Sequence, residues 1–409
     1  MSATSLIRPG ERSHIECSLA AMGIVNALGC GSEEIWPRLL AADQSHFCRR
    51  DDLVPDHSLI VAEISGPLPE IPPRLKRYAC RNNALLMAAV QQIEKPIAEI
   101  IDAVGRSRVA VIIGSSTSGV SDAEAAIRHQ HVTGVLAEEF YYDQLEFGGA
   151  SSFVADLLRV DGPTYAISTA CSSGARALAT ARSLLALDVC DAVIAGAADS
   201  LCGLTANGFS SLQVISDEIT NPFSGNRNGL TLGEGAAVFL VIRGGAGVQL
   251  RGVGESTEAH NMSAPDPEGH GAENAMRNAL KDAALDSAEI AYLNLHGTGT
   301  PLNDAMEAAA IDRVFADSPP CSSTKSLVGH ILGGAGAVEA AFCWMTLAER
   351  TSKKLDLIPH VFDGQPDPAL PRLRLVPSEG LRVPTGPVMT NSFGFGGNNC
   401  TLILEAAAP

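Results

Sequence analysis

Four short stretches of the 409-residue chain carry side chains able to do chemistry, and they lie far apart. The first, "STACSSGARAL" at 168–178, sets Cys171 where small residues give way to a helical run. A helix beginning near Ser172 turns its unpaired N–H groups and positive dipole end toward that sulfur. Such a setting favours the thiolate, the nucleophilic form. The ordinary alternative is a buried cysteine serving as a small apolar filler, and this stretch alone leaves both open. The second, "NLHGTGTPLND" at 294–304, puts His296 at the end of an apolar run, before a Gly/Thr turn. The third, "SSTKSLVGHILGGAGAVEA" at 322–340, holds Lys325, His330 five residues on, and Glu339 beyond a Gly-rich helix entry. The fourth, "NSFGFGGNN" at 391–399, is a Phe/Gly loop before the last strand. Its Gly394, Gly396 and Gly397 permit backbone angles closed to other residues and let the main chain approach a ligand.

Taken singly, these signals are weak. A histidine at a strand end is more often structural than catalytic, and a lone lysine is usually a surface residue. The Phe/Gly loop is not a dinucleotide fingerprint, because a strand follows it and no helix opens there. Taken together, a thiol, two imidazoles, an ammonium and a flexible loop equip a site for acyl transfer. A second step with a stabilised oxyanion would follow.

The elements that must position these groups read as alternating strands and helices. Strands are predicted over 108–116, 191–200, 235–243, 291–300 and 399–406, and helices over 173–187, 274–285, 303–315 and 336–349. Asn303 and Asp304 supply an N-cap for the third helix. The alternation implies an α/β architecture. The helices after Cys171 and Gly336 are rich in Ala and Gly around apolar positions, as in helices buried on all sides, and so predict a layered protein with helices between sheets. The run 243–257 is the best candidate for a seam, dividing the chain into 1–250, with the cysteine, and 251–409, with the histidines, the lysine and the Phe/Gly loop.

Composition narrows the field further. The ten cysteines show no C-x-x-C pair or Cys/His metal spacing, so neither a disulfide framework nor a zinc site is implied, and a reducing cytoplasm fits. The N-terminal stretch lacks the apolar core of a signal peptide, and no apolar run is long enough to span a membrane. A net charge of −17 argues against nucleic acid as a partner. Against that acidic background "PPRLKRYACR" gathers Arg74, Lys76, Arg77 and Arg81, with Arg49 and Arg50 as a smaller group. Such a patch either steers an acidic partner or is an ordinary solvated face.

The four motifs "TACSSG", "HGTGTP", "KSLVGH" with "GGAGAVEA", and "NSFGFGGNN", in this order over nearly the full length, resemble those of the β-ketoacyl-acyl carrier protein synthases. These are the elongating condensing enzymes of fatty-acid and type II polyketide synthesis. The resemblance implies the thiolase fold, a five-layer α-β-α-β-α sandwich built from two similar halves, and a dimer formed through an edge strand near the cysteine. It implies that Cys171 takes the acyl chain as a thioester, and that His296 and His330 bind the malonyl thioester and assist loss of CO2. The backbone N–H groups of Cys171 and Phe395 would form the oxyanion hole. Phe395 would gate the pocket, hinged on its glycines, with Phe393 in support. Lys325 and Glu339 would be a buried pair fixing His330. Thr298 and Thr300 would meet the phosphopantetheine arm, with Thr117 in the acyl pocket. Arg74, Lys76 and Arg77 would belong to the surface that docks an acyl carrier protein. No metal or other cofactor is implied.

The chain departs from the fatty-acid pattern in "NPFSGNRNGLTLGEGA" at 221–236, where Asn221, Ser224, Asn228 and Leu230 replace the usual Arg, Asp, Asp and Phe. Ser116, Thr117 and Ser118 are more polar than the usual pocket segment. "TPLNDAMEA" and Asn398 look like the ketosynthases of aryl polyene clusters, which pair with a chain-length-factor homologue. Two other readings compete: a non-catalytic chain-length factor, which normally lacks the cysteine, and a degradative thiolase, which needs a second cysteine in a C-terminal loop. Cys400 lies near that position but inside the predicted strand.

Overall fold

Runs rich in Val, Ile and Ala become strands buried on both faces. In the computed structural model, which describes residues 16–407 apart from residue 352, they join one twelve-stranded sheet. The stretch read for a targeting signal lies, through residue 15, outside the described residues. In chain order the principal strands are β1 Cys17–Asn26, β2 Val109–Gly114, β3 Thr164–Ile167, β4 Ala192–Asp199, β5 Gly235–Arg243 and β6 Val248–Thr257. They continue as β7 Tyr292–Asn294, β8 Pro320–Ser322, β9 Arg374–Leu375, β10 Val388–Gly394 and β11 Asn398–Ala406. Their spatial order is β9-β8-β7-β10-β11-β6-β1-β5-β4-β2-β3, with a short strand at Gly29–Cys30 folded back on β1.

One pairing pattern occurs twice. β3, β2 and β4 are mutually parallel, and β5 and β1 follow antiparallel. β8, β7 and β10 are parallel in the same way, and β11 and β6 follow antiparallel. The halves meet at β1 and β6 through only two register pairs, Ser18 with Gln249 and Leu19 with Val248. A division at residue 250 falls inside β6; the turn at 244–247 is the physical seam.

Helices complete the layers. α1 Arg81–Gln92 and α2 Phe147–Leu158 cover the outer face of the first half. α4 His270–Ala283 and α5 Pro301–Val314 cover that of the second. α3 Ser173–Ala186 and α6 Ala335–Ala348 lie between the two halves, packed on each other and on both sets of strands. Their Ala/Gly content has a steric cause. A Cβ on Gly174 would come within 2.5 Å of the Ala337 amide nitrogen, and one on Gly336 within 2.8 Å of that of Ala175. The result is the five-layer α-β-α-β-α sandwich of the thiolase fold.

Two local expectations fail. The strand predicted over 291–300 ends at Asn294, and α5 starts at Pro301 with Thr300 in the cap position, so Asn303 and Asp304 do not cap it. Proline at the first helical position has no N–H to leave unpaired, which fixes the start two residues early. Among the described residues no helix is long and apolar enough to cross a membrane.

Candidate active site

Cys171 sits in a sharp turn between β3 and α3. Ala170 before it adopts φ +50°, a left-handed angle rare outside glycine. The turn is pinned by Ser173, whose hydroxyl donates to the Ala170 carbonyl (2.6 Å) and accepts from the Thr169 N–H (2.9 Å). The second half brings both histidines to the sulfur. His330 Nε2 lies 3.0 Å from Cys171 Sγ. The His296 ring stands edge-on to His330, with centroids 5.5 Å apart, and Phe393 packs at 5.9 Å on His296. All three polar side chains are buried.

The electrostatics differ from the sequence expectation at Cys171. Burial pushes the thiol up to about 11, with the Glu339 and Asp199 charges adding to the rise. The Lys325 ammonium and the nearby Phe395 N–H only partly offset it. The helix entry therefore does not leave a standing thiolate: a dry site disfavours an isolated charge more than a helix end favours it. Burial and the Lys325 charge hold both imidazoles well below the usual histidine range. The resting pair is a neutral thiol and a neutral imidazole. Neither Nδ1 has a hydrogen-bond partner among the described residues, so the ring nitrogens facing the sulfur are free to accept or donate.

Lys325 is buried and reaches two groups, Glu339 Oε1 at 2.5 Å and the His296 carbonyl. The pair therefore anchors the His296 backbone directly; the expected hold on His330 is indirect. Burial, only partly offset by Lys325, pushes Glu339 up to about 7. His330 is held by its main chain, its N–H on the Thr231 carbonyl and its own carbonyl receiving the Gly233 N–H.

In the Phe/Gly loop only Gly396 (φ +79°) and Gly397 (φ +78°) use glycine's angular freedom. Gly394 is extended, and its glycine requirement is one of space: a Cβ there would lie 2.8 Å from the Thr169 carbonyl. The Phe395 ring meets Phe209 edge-on at 5.6 Å. The loop is strapped from outside by Gly396 N–H to the Met262 carbonyl and Glu258 N–H to the Gly397 carbonyl. The Thr298 and Thr300 hydroxyls are buried and bond each other at 3.0 Å. Thr117 does not present a free hydroxyl, because its Oγ1 donates to Asp199 (2.8 Å) and accepts from the Ser200 N–H.

Several residues of this shell were given no part in the site by the sequence. Glu307 receives the N–H groups of His296 (2.9 Å) and Gly297 (2.7 Å). Asp304, pushed by burial up to about 7, receives those of Phe223 and Gly299. Two acids three apart among the apolar positions of α5 were the available clue. His360 bridges the Ser323 N–H and the Pro222 carbonyl, and Ser323 in turn holds the Gly297 carbonyl.

The surface arginines divide. Arg81 pairs with buried Glu234, and Arg50 with Asp52 and Glu63, so neither adds to a free patch. Arg74 donates to the Asp156 and Leu157 carbonyls at the end of α2. Arg77 bonds the Tyr78 hydroxyl, and Lys76 lies over the Tyr141 ring.

The Cys171, His296 and His330 ligand atoms lie within 4.8 Å of one another, a spacing that fits a soft metal ion. The Lys325 ammonium opposes a cation there. A buried thiol with two imidazoles at the joint of two thiolase-type halves instead defines an acyl-transferring, carbon–carbon bond-forming enzyme. Residues 63–245 match the family described as "Beta-ketoacyl synthase, N-terminal domain", and 248–355 match "Beta-ketoacyl synthase, C-terminal domain". The chain belongs to the β-ketoacyl synthase family. It is 30% identical over 410 residues to the 3-oxoacyl-[acyl-carrier-protein] synthase 2 of Coxiella burnetii, covering 95% of this chain and 97% of that one. The Xenorhabdus doucetiae ketosynthase ApeO, solved in complex with its chain length factor ApeC, superposes with a TM-score of 0.92 at 39% identity, covering 98% of this chain and all of that one. A β-ketoacyl synthase from Burkholderia phymatum gives 0.84 at 28%, covering 96% of this chain and all of that one.

Proposed function

We propose that this enzyme joins a Cys171-bound acyl chain to malonyl-acyl carrier protein by decarboxylative condensation, as the elongating ketosynthase of an aryl polyene-type pathway. The observation that carries the reading is the 3.0 Å approach of His330 Nε2 to Cys171 Sγ beside His296, all buried. The sulfur attacks the carrier thioester, its proton passes to His330, and the carrier thiol leaves with that proton. Malonyl then loses CO2, and the electron pair left behind forms an enolate whose oxygen receives Nε2–H bonds from His296 and His330. In a dry site such donors act with little competition from water. The carbanion attacks the Cys171 thioester, the N–H groups of Cys171 and Phe395 hold the oxyanion, and its collapse expels the Cys171 sulfur. No metal or nucleotide enters the scheme.

The partners in this reading are an acyl carrier protein and either a second copy or a chain-length-factor homologue. The second partner is supported by the ketosynthase–chain length factor complex at 39% identity. Arg74, Lys76 and Arg77 are the exposed cations assigned to carrier docking, although Arg74 also holds the end of α2 and Arg77 lies 3.8 Å from Asp143. The ten cysteines, none of them in a disulfide, fit a reducing cytoplasm. The deciding experiment is the intact mass of the protein after incubation with carrier proteins bearing fatty or hydroxycinnamoyl-type chains. An adduct from the aromatic donor that disappears in Cys171→Ala supports the full reading. An adduct from fatty donors alone moves the enzyme to fatty-acid synthesis. No adduct, with the homologous partner present, leaves the chain a non-catalytic subunit.

A further inference from the structure

Asp199 ends β4, is fully buried, and accepts hydrogen bonds from two separate segments of the site. From the loop after β2, its Oδ1 receives the Ser115 hydroxyl (2.7 Å), the Ser116 and Thr117 N–H groups (2.8 Å each) and the Thr117 hydroxyl (2.8 Å). From the segment after His330, its Oδ2 receives the Gly333 (2.6 Å) and Gly334 (3.2 Å) N–H groups. Those two glycines lead into α6, so the carboxylate also sits where a helix entry leaves N–H groups unpaired. Between His330 and Gly333, Leu332 is forced to φ +48°. A left-handed non-glycine residue is sterically unfavourable and persists only where its surroundings hold it. The fit is close: a Cβ on Gly333 would come 2.5 Å from Ser116 Oγ and 2.9 Å from Asp199 Oδ2.

We propose that Asp199 is a positioning residue for His330. By clamping the Gly333–Gly334 turn against the Ser115–Thr117 loop, it keeps the left-handed Leu332 in place and the His330 imidazole on the Cys171 sulfur. Its consequence for turnover rests on the condensing reading above, but the geometry is testable without substrate. The readout is alkylation of Cys171 by iodoacetamide at pH 7, followed by peptide mass in the full-length protein, with a melting temperature for each variant. His330→Ala sets the rate without the imidazole. Asp199→Asn keeps the size but turns an amide N–H toward groups that are themselves donors. It is expected to slow alkylation about 10- to 100-fold toward the His330→Ala rate, the scale of a misplaced reacting group. Gly333→Ala, which keeps the charge and displaces the turn, is expected to do the same, whereas Ser115→Ala, which removes one of the six donors to Asp199 and leaves the Gly333–Gly334 side intact, should slow alkylation less than either.

Removing the Asp199 charge alone eases ionisation of Cys171 and would speed alkylation, so slowing cannot come from charge. An unchanged or faster rate in Asp199→Asn overturns the proposal, as does a wild-type rate in a folded Gly333→Ala. Should Asp199→Asn fail to fold, Gly333→Ala decides between the same two outcomes. Failure of the condensing reading looks different: normal alkylation of the wild type, with no acyl adduct from any carrier protein.

Discussion

At the scale of single residues, the site runs on neutral partners. With the thiol pushed up to about 11 and the imidazoles held well below their ordinary range, proton transfer must accompany attack. His330→Ala should abolish malonyl decarboxylation while Cys171 still acylates, at a reduced rate, in a mass assay; equal loss of both would remove the division of labour. The pH dependence has a definite sign. A depressed imidazole pKa means that the base form persists as pH falls, so the acidic limb of the acylation rate should lie below pH 6.5. A limb at or above 6.5 would show a histidine in its ordinary state. Lys325→Ala leaves Glu339 buried without its cation and should cost about 3–5 kcal/mol, read as a lowered denaturation midpoint. The chemistry-bearing residues were legible because their neighbours are unusual: a thiol among small residues, a lysine in a Ser/Thr loop. Glu307 and Asp199 were not, since an acid whose partners are mostly main-chain N–H groups distant in sequence has no distinctive neighbours.

At the scale of elements, sequence reading succeeded where composition reports burial and failed where position reports it. The Ala/Gly character of α3 and α6 announced two helices between layers, and the Gly174 and Gly336 approaches supply the reason. β1 lies mid-sheet yet gives a weak strand signal, because Ala20, Ala21 and Gly23 occupy its middle in place of β-branched residues. The start of α5 was misread because a proline at the first helical position outweighs Asn and Asp further in. Gly174→Ala should destabilise the fold by about 1–3 kcal/mol, the cost of overpacking a close contact, measured by chemical denaturation. In the Phe/Gly loop the two left-handed glycines should respond differently. Gly396 has open space beside it, while a Cβ on Gly397 would run into the Glu258 carbonyl. Gly397→Ala should therefore slow turnover far more than Gly396→Ala at equal folding; equal effects would mean that angular strain alone governs the loop.

At the scale of the whole molecule, two copies of one strand pattern meet at a narrow seam, and neither half holds a complete site. The nucleophile comes from the first and both histidines from the second. That duplication is invisible in the sequence because what repeats is the order of parallel and antiparallel neighbours, which different residues satisfy equally well. The charge distribution is legible only in part: of the six cations noted in the sequence, ion pairs and a helix end engage Arg50, Arg81, Arg77 and Arg74. Lys76→Glu with Arg77→Glu should weaken carrier protein binding, with the loss shrinking as salt is raised; unchanged affinity at low salt would move docking elsewhere. The last consequence concerns handling. β3 closes one end of the sheet with four residues that have no strand on their far side among the described residues, and Tyr165 is exposed upon it. A bare edge accepts whatever strand arrives. Cells that make this chain alone should lose much of it to inclusion bodies, and making it together with the homologous partner proposed above should raise the recovered yield if that partner covers the edge.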